Sequence, residues 1–330
     1  MAKKIDAKAI IVPLTGGLGN QLFQLAFGLA HSNQTGHPYL LDAKIARPRL
    51  IEGHAALCEL TLDTSPIMTM DKKIIFNDLV SKIYGWNLVN GIKTKFGKFN
   101  PLRILSYLTS SFFFQIGLAT PLNFAVSQGV GFDPFISRRT SGGLYIGYFQ
   151  TYRFPESPKV FNQLMKLRPK SISNQLSEII SIVDETKPML LHVRLTDYLS
   201  EENFGIPSEN YYINALNALR IRGFTNPVWV FSDDIAAAKM HLLNIEEEFD
   251  LHYFDGSIFG DVENWFLMRK FSAYVIANSS YSWWAAFLRE NQSTVVMYPQ
   301  PWFRGGHEPK DLFPSDWIPI PAQGNVDTNT

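Results

Sequence analysis

Short apolar runs that end at a turn of glycine or small polar residues, and pass directly into a helical pattern, constrain this chain more than any other feature. Ala9 to Leu14 is the first such run. Thr15, Gly16 and Gly17 close it, and Leu18, Leu22, Leu25, Ala26 and Leu29 then recur at helical spacing. A second strand is predicted at Tyr39 to Leu41, ending at Asp42, so the opening is βαβ and calls for a parallel sheet. The pattern resumes near residue 187, with Pro188 to Arg194 as a strand, Tyr211 to Arg220 as a helix and Val228 to Ser232 as a strand. Ala273 to Ala277 is a further buried strand, running to Ser282 as the N-cap of a helical stretch from Trp283 to Arg289. Residues 60 to 140 give no clean period. The polar stretch from Lys166 to Asn174 separates the two series, and 330 residues suit two α/β domains of about 150 each. The expected division is 1–170 and 171–330.

Charge excludes one class of partner. Thirty Lys and Arg balance thirty Asp and Glu, so no overall field holds the chain on nucleic acid or an anionic membrane. The one cysteine, Cys58, forms neither an internal disulfide nor a multi-cysteine metal site, and is expected as a small buried hydrophobe in a reducing compartment. The lysine-containing start has no apolar segment of signal-peptide length, so a cytoplasmic protein is expected. Ile104 to Phe132 carries no charge. Pro121 and several polar residues interrupt it, which reads as buried core, with a peripheral membrane contact as the alternative.

Three strand ends carry groups suited to an anionic ligand. Strand alternation puts His192 and Arg194 on one face, and ligands of open parallel sheets bind beyond the carboxyl ends of strands. The planar fork of Arg suits phosphate. The structural alternative has Arg194 pairing with Asp197 to pin the turn, and His192 as a satisfied core histidine. Ser279, Ser280 and Ser282 lie at the next strand-to-helix turn, where free N–H groups can cradle phosphate or the serines can simply cap the helix. Asp233 and Asp234 end a third strand, and either could accept the adjacent N–H donors of guanine while the other caps the helix starting at Ile235. Gly17-x-Gly19-x-x-Leu22 followed by Asp42 imitates a dinucleotide fingerprint with Leu22 in place of the third glycine, so a nicotinamide-binding oxidoreductase is a distinct alternative. No His-Glu-x-x-His, cysteine pair or Asp-x-Asp occurs, so no metal site is expected. An enzyme without that ion must stabilise a leaving diphosphate with Arg, His and helix N-termini.

In this order, Gly16-Gly-Leu-Gly-Asn-Gln-Leu-Phe-Gln24, Gly147-Tyr-Phe-Gln150, His192-Val-Arg-Leu-Thr-Asp-Tyr198, Phe231-Ser-Asp-Asp234, Asp261 to Met268, Ile276 to Ala286 and Pro301-Trp-Phe303 resemble the segments of the α-1,2-fucosyltransferases, glycosyltransferase family 11. They extend over residues 14 to 304. The resemblance implies a GT-B fold, two facing Rossmann-like domains with an interdomain cleft, the acceptor on the N-terminal side and GDP-fucose on the C-terminal side. It implies inverting, metal-independent transfer of L-fucose to the 2-hydroxyl of a galactose-terminated glycan, with GDP-fucose as substrate and no cofactor. Arg194 would neutralise the diphosphate. His192 and Asp234 would lie near the nucleoside, Ser279, Ser280 and Ser282 at the phosphates, and Gly17, Gly19, Asn20 and Gln21 at the cleft. Gly147 to Gln150 corresponds to an interdomain segment.

Family members carry a second Arg where this chain has Leu195. In a strand that position points away from Arg194, and loss of a direct charge contact would cost about 3 kcal/mol of transition-state stabilisation. A changed sugar-nucleotide donor, or a non-catalytic sugar-nucleotide or glycan-binding protein, are the alternatives this departure leaves. The base that takes the acceptor proton is open among Asp197, Glu201 and Glu202, with Asp197 and Glu202 the candidates carried forward.

Overall fold

The computed structural model describes residues 8–42, 56–61, 67–68, 124–127, 130–196, 205–304 and 309–323. It divides into two compact units, Met1–Leu167 with Pro309–Phe313, and Arg168–Glu308 with Pro314–Thr330. Asp197, Glu201 and Glu202, and most of the uncharged 104–132 stretch, lie outside the described residues.

The first unit contains β1 (Ile10–Pro13), α1 (Leu18–Thr35), β2 (Tyr39–Asp42), β3 (Ile67–Met68), β4 (Phe124–Val126), α2 (Pro134–Ser137), β5 (Gly143–Ile146) and α3 (Pro158–Met165). Its strands form one parallel sheet in the order β3-β2-β1-β5-β4, with Ile10 paired to Tyr39 on one side and to Gly143 on the other. Ile10 and Val12, on one face of β1, are fully buried, while Ile11 on the other face is partly buried. Gly16, at φ +72°, makes the tight exit from β1, and Gly36 in the left-handed region ends α1 by donating to the Ser32 carbonyl. Pro309–Phe313 belongs to this unit although residues of the second unit lie on both sides of it in sequence. The Phe132 N–H donates to the Lys310 carbonyl, and Tyr152 N–H and Thr151 Oγ1 donate to the Asp311 carbonyl.

An aromatic cluster fills the core beneath α1. Phe27 stacks on Phe149 with centroids 3.9 Å apart and on His31 at 5.2 Å. His31 Nε2 lies 3.0 Å from the Tyr145 hydroxyl, whose own proton goes to the Ser141 carbonyl, so Nε2 is the donor and Nδ1 is left without a partner. Burial, with Arg139 and His37 nearby, lowers the His31 pKa to about 4. Cys58, by contrast with the sequence expectation, is half-buried. It sits in a one-turn 3-10 segment, Ala56–Glu59, whose buried residue is Leu57.

The second unit contains α4 (Asn174–Thr186), β6 (Met189–Val193), α5 (Glu209–Ile221), β7 (Val228–Ser232), α6 (Ile235–His241), β8 (Leu251–Tyr253), α7 (Asp261–Met268), β9 (Tyr274–Val275), α8 (Ser280–Phe287), β10 (Val296–Gln300) and β11 (Ile318–Pro321). These strands are all parallel, in the order β11-β10-β9-β6-β7-β8. The class is therefore α/β, with a parallel sheet in each unit, the make-up of a GT-B chain. Strand order reverses between β1 and β5 in the first unit and between β6 and β9 in the second. Those two points are where such sheets open a crevice for ligands. Among the described residues no helix is long and apolar enough to cross a membrane.

Candidate active site

In the first unit the glycine turn and the Gly147–Gln150 segment flank the reversal point and are bonded together. Gln24 Nε2 donates to the Gly147 carbonyl at 3.0 Å and to Thr15 Oγ1 at 2.9 Å, while its Oε1 accepts the Thr15 N–H at 3.0 Å. Gln150 Nε2 donates to Asn20 Oδ1 at 2.7 Å. Gly147 must lack a side chain, since a Cβ there would lie 2.5 Å from the Ser127 Cβ. The segment expected between domains thus lies inside the first unit, as the carboxyl extension of β5. Gly17 is exposed at the turn, Gly19 is buried in the first turn of α1, and Asn20 is half-buried. Gln21 corrects the sequence expectation of a substrate contact. It is fully buried, donates to the Gly16 carbonyl at 2.8 Å and accepts the Leu57 N–H at 3.1 Å, so it shapes the turn from beneath.

In the second unit β6 delivers two faces. Met189, Leu191, Val193 and Leu195 pack with Tyr211 and Leu216 of α5 and Ala238 of α6. The alternate residues point the other way. His192 reaches the Tyr281 ring of α8, with centroids 6.2 Å apart. Leu195 is therefore a core residue at 6% exposure, and an arginine in its place would be directed away from Arg194.

Arg194 leaves the end of β6 with its side chain 32% exposed, and its Nε lies 3.3 Å from Asp233 Oδ2. Asp233 also accepts the Leu195 N–H on Oδ1 and the Thr196 N–H on Oδ2, each at 3.0 Å, and the Thr196 hydroxyl donates to the same carboxylate. Burial acts to raise the Asp233 carboxyl, but the bonds from Thr196 and Leu195 and the Arg194 cation outweigh it and lower its pKa. Arg194 is thus paired across strands with Asp233, and Asp197, its structural partner in the sequence reading, lies outside the described residues. Asp233 holds residues 194–196 in place. Asp234 takes the capping position that the sequence reading offered to one of the pair. It is the N-cap of α6, its side chain accepting the Ala237 N–H at 2.9 Å.

His192 is 4% exposed and its Nδ1 has no hydrogen-bond partner, so it is not the satisfied core histidine of the alternative reading. Burial first, then the Arg194 cation, lowers its pKa to about 3 against the opposing pull of Asp233. A neutral imidazole of that kind can exchange a hydrogen bond with an uncharged group, and is a poor base at neutral pH.

The cap of α8 also differs from the expectation. Ser279 is the N-cap and accepts the Tyr281 N–H at 3.3 Å, so the helix begins at Ser280, three residues before Trp283. Ser282 is fully buried inside the first turn, where its hydroxyl lies 3.2 Å from the Ser279 carbonyl and cannot cradle phosphate. Half-buried Ser280 opens the helix. Two residues without an assigned role in the sequence reading also mark this edge. Asn278 donates through Nδ2 to the Gly205 carbonyl at 2.7 Å and to the Trp302 carbonyl at 3.2 Å. Arg304 follows the Pro301-Trp-Phe303 segment and lines a cleft with Asn278. Only the Ala277–Ser282 turn signal pointed toward Asn278; nothing in the local pattern singled out Arg304.

Residues 146–320, just over half of the chain, match the model of glycosyl transferase family 11. The chain belongs to that family and is a glycosyltransferase, which removes the oxidoreductase alternative. It is 28% identical over 319 residues to an α-1,2-colitosyltransferase of Escherichia coli, covering 94% of this chain and 98% of that one. It is 24% identical to the O-antigen biosynthesis glycosyltransferase WbnK of Escherichia coli, covering 92% and 98%. Among solved structures, the fucosyltransferase NodZ from Bradyrhizobium matches with a TM-score of 0.46 and 12% identity, over 86% of this chain and 94% of that one.

Proposed function

We propose that the protein transfers a 6-deoxy-L-hexose from its GDP-linked form to the 2-hydroxyl of a galactose-terminated glycan, with inversion and without a metal. The observation that carries this reading is Arg194, presented half-exposed beyond the carboxyl end of β6 and oriented by Asp233. A cation fixed at that point matches the charge that develops on a departing diphosphate. In the displacement the acceptor oxygen bonds to the anomeric carbon as the carbon–oxygen bond to GDP breaks, and the acceptor proton passes to a base, for which Asp197 and Glu202 are the candidates. GDP leaves with the bonding electrons, against Arg194 and the start of α8.

Two donors fit this reading. GDP-fucose is favoured by the ordered motifs. A donor carrying colitose, which is fucose without its 3-hydroxyl, is favoured by the colitosyltransferase relative. The test is GDP release by purified protein in EDTA from each donor, with and without a galactose-terminated disaccharide, followed by determination of the product linkage. Acceptor-dependent release with an α-1,2 product is expected. No release from either donor would overturn the proposal. Arg194→Ala is expected to lose more than nine-tenths of turnover, and a variant keeping more than one-tenth would remove the assigned role of Arg194.

A further inference from the structure

The carboxyl edge of the second sheet holds a cleft of ≈ 430 Å³ that the roles above leave unused. Gly205, Asn278, Pro301, Arg304, Ala322 and Gln323 are among its lining residues. They come from the segments after β6, β9, β10 and β11, and so span the point where strand order reverses. The walls are tied together. Asn278, only 3% exposed, bonds the segments at Gly205 and Trp302, the Ser208 N–H donates to the Ala322 carbonyl at 2.8 Å, and the Ala322 N–H donates to the Gln300 carbonyl at 2.8 Å. The described lining has no carboxylate, and exposed Arg304 makes no ion pair with any described residue.

We propose that this cleft is a phosphate subsite whose cation is Arg304. A guanidinium that lines a cleft without a counter-charge among the described residues is suited to bidentate contact with phosphate oxygens. Arg194 shares its charge with Asp233, and Leu195 is turned into the core, so the motif on β6 offers a diphosphate one partly compensated cation. β10 is two strands from β6, roughly 10 Å at ordinary strand spacing, within the length of one sugar nucleotide. The assignment rests on the sugar-nucleotide reading for the identity of its ligand. Two sources present the same chemistry, the diphosphate of the donor and a phosphate group on the acceptor.

Calorimetric titration of GDP, GMP and inorganic pyrophosphate into the wild type, Arg304→Gln and Arg304→Lys decides between them, with thermal midpoints as the folding control. With the donor as source, Arg304→Gln weakens GDP and pyrophosphate at least ten-fold and GMP less, Arg304→Lys falls between, and Gln323→Glu, which adds a carboxylate to the cleft, also weakens GDP. With the acceptor as source, GDP affinity stays within two-fold while KM rises for a phosphorylated galactoside and not for a neutral one. Unchanged GDP and pyrophosphate affinity together with unchanged KM for both acceptors would overturn the subsite. Failure of the wild type to bind GDP would strike the donor reading, and pyrophosphate would still report on Arg304.

Discussion

Asp233→Asn separates a residue that positions the site from one that only neutralises charge. The carboxylate accepts two backbone N–H groups at 3.0 Å, the Thr196 hydroxyl, and an Arg194 contact at 3.3 Å. An asparagine keeps one acceptor oxygen and turns its amino group toward the other N–H donor. Hydrogen bonds to a charged group contribute about 1.5–3 kcal/mol each, and a partly exposed ion pair adds no more than about 1. One lost bond and one weakened pair give a destabilisation of about 2–3 kcal/mol. Released residues 194–196 no longer fix the guanidinium, and a displacement of about 1 Å at a reacting group costs on the order of 100-fold in rate. Chemical denaturation and steady-state turnover on the same preparation read both quantities. Arg194→Ala, by contrast, removes a half-exposed side chain and one partly exposed ion pair, and should leave stability within about 1 kcal/mol. An Asp233→Asn protein that is destabilised yet keeps more than half of wild-type turnover would refute the positioning role; one that unfolds like the wild type would refute the bonding pattern itself.

Leu195→Arg, which restores the family's second arginine, should cost about 3–5 kcal/mol by placing an unpaired cation among Val193, Tyr211 and Leu216, and raise no turnover. A gain in kcat at unchanged melting temperature would contradict that placement. Asp234→Ala should cost about 1 kcal/mol of stability as a lost cap and leave GDP affinity unchanged; a ten-fold loss of affinity would return Asp234 to the nucleoside. His31 has a folded pKa lowered from 6.5 to about 4, so the unfolded chain takes up the proton first. Stability should fall from about pH 6.5 to pH 4, by about 3 kcal/mol in total, and then level off. Denaturation curves across that range should be flatter for His31→Gln, and an equal slope in both proteins would sink the assignment.

What the sequence disclosed depended on the range over which each feature is determined. Val228–Ser232 matched its predicted span, and Met189–Val193 lies within the predicted 188–194, because buried parallel strands are short continuous apolar runs bounded by polar residues. The cap of α8 was misplaced by three residues because Ser279, Ser280 and Ser282 all have capping chemistry. The choice fell to the first of them in extended backbone after β9, at φ −115° and ψ 130°. Which aspartate caps α6 and which holds Arg194 is likewise a matter of register, since Asp233 meets Leu195 only through the pairing of Val193 with Ser232. Gln24 and Gln150 were visible as motif letters, but their partners lie 123 and 130 residues away, beyond any local pattern. Strand parity did fix the direction of Leu195, and that carries the argument one step beyond the motif. If position 195 always points into the α5 side of the sheet, a second arginine there acts through packing, and a second cation for a diphosphate must come from another strand end. Among the described residues β10 supplies one, at Arg304, across the reversal point from Arg194.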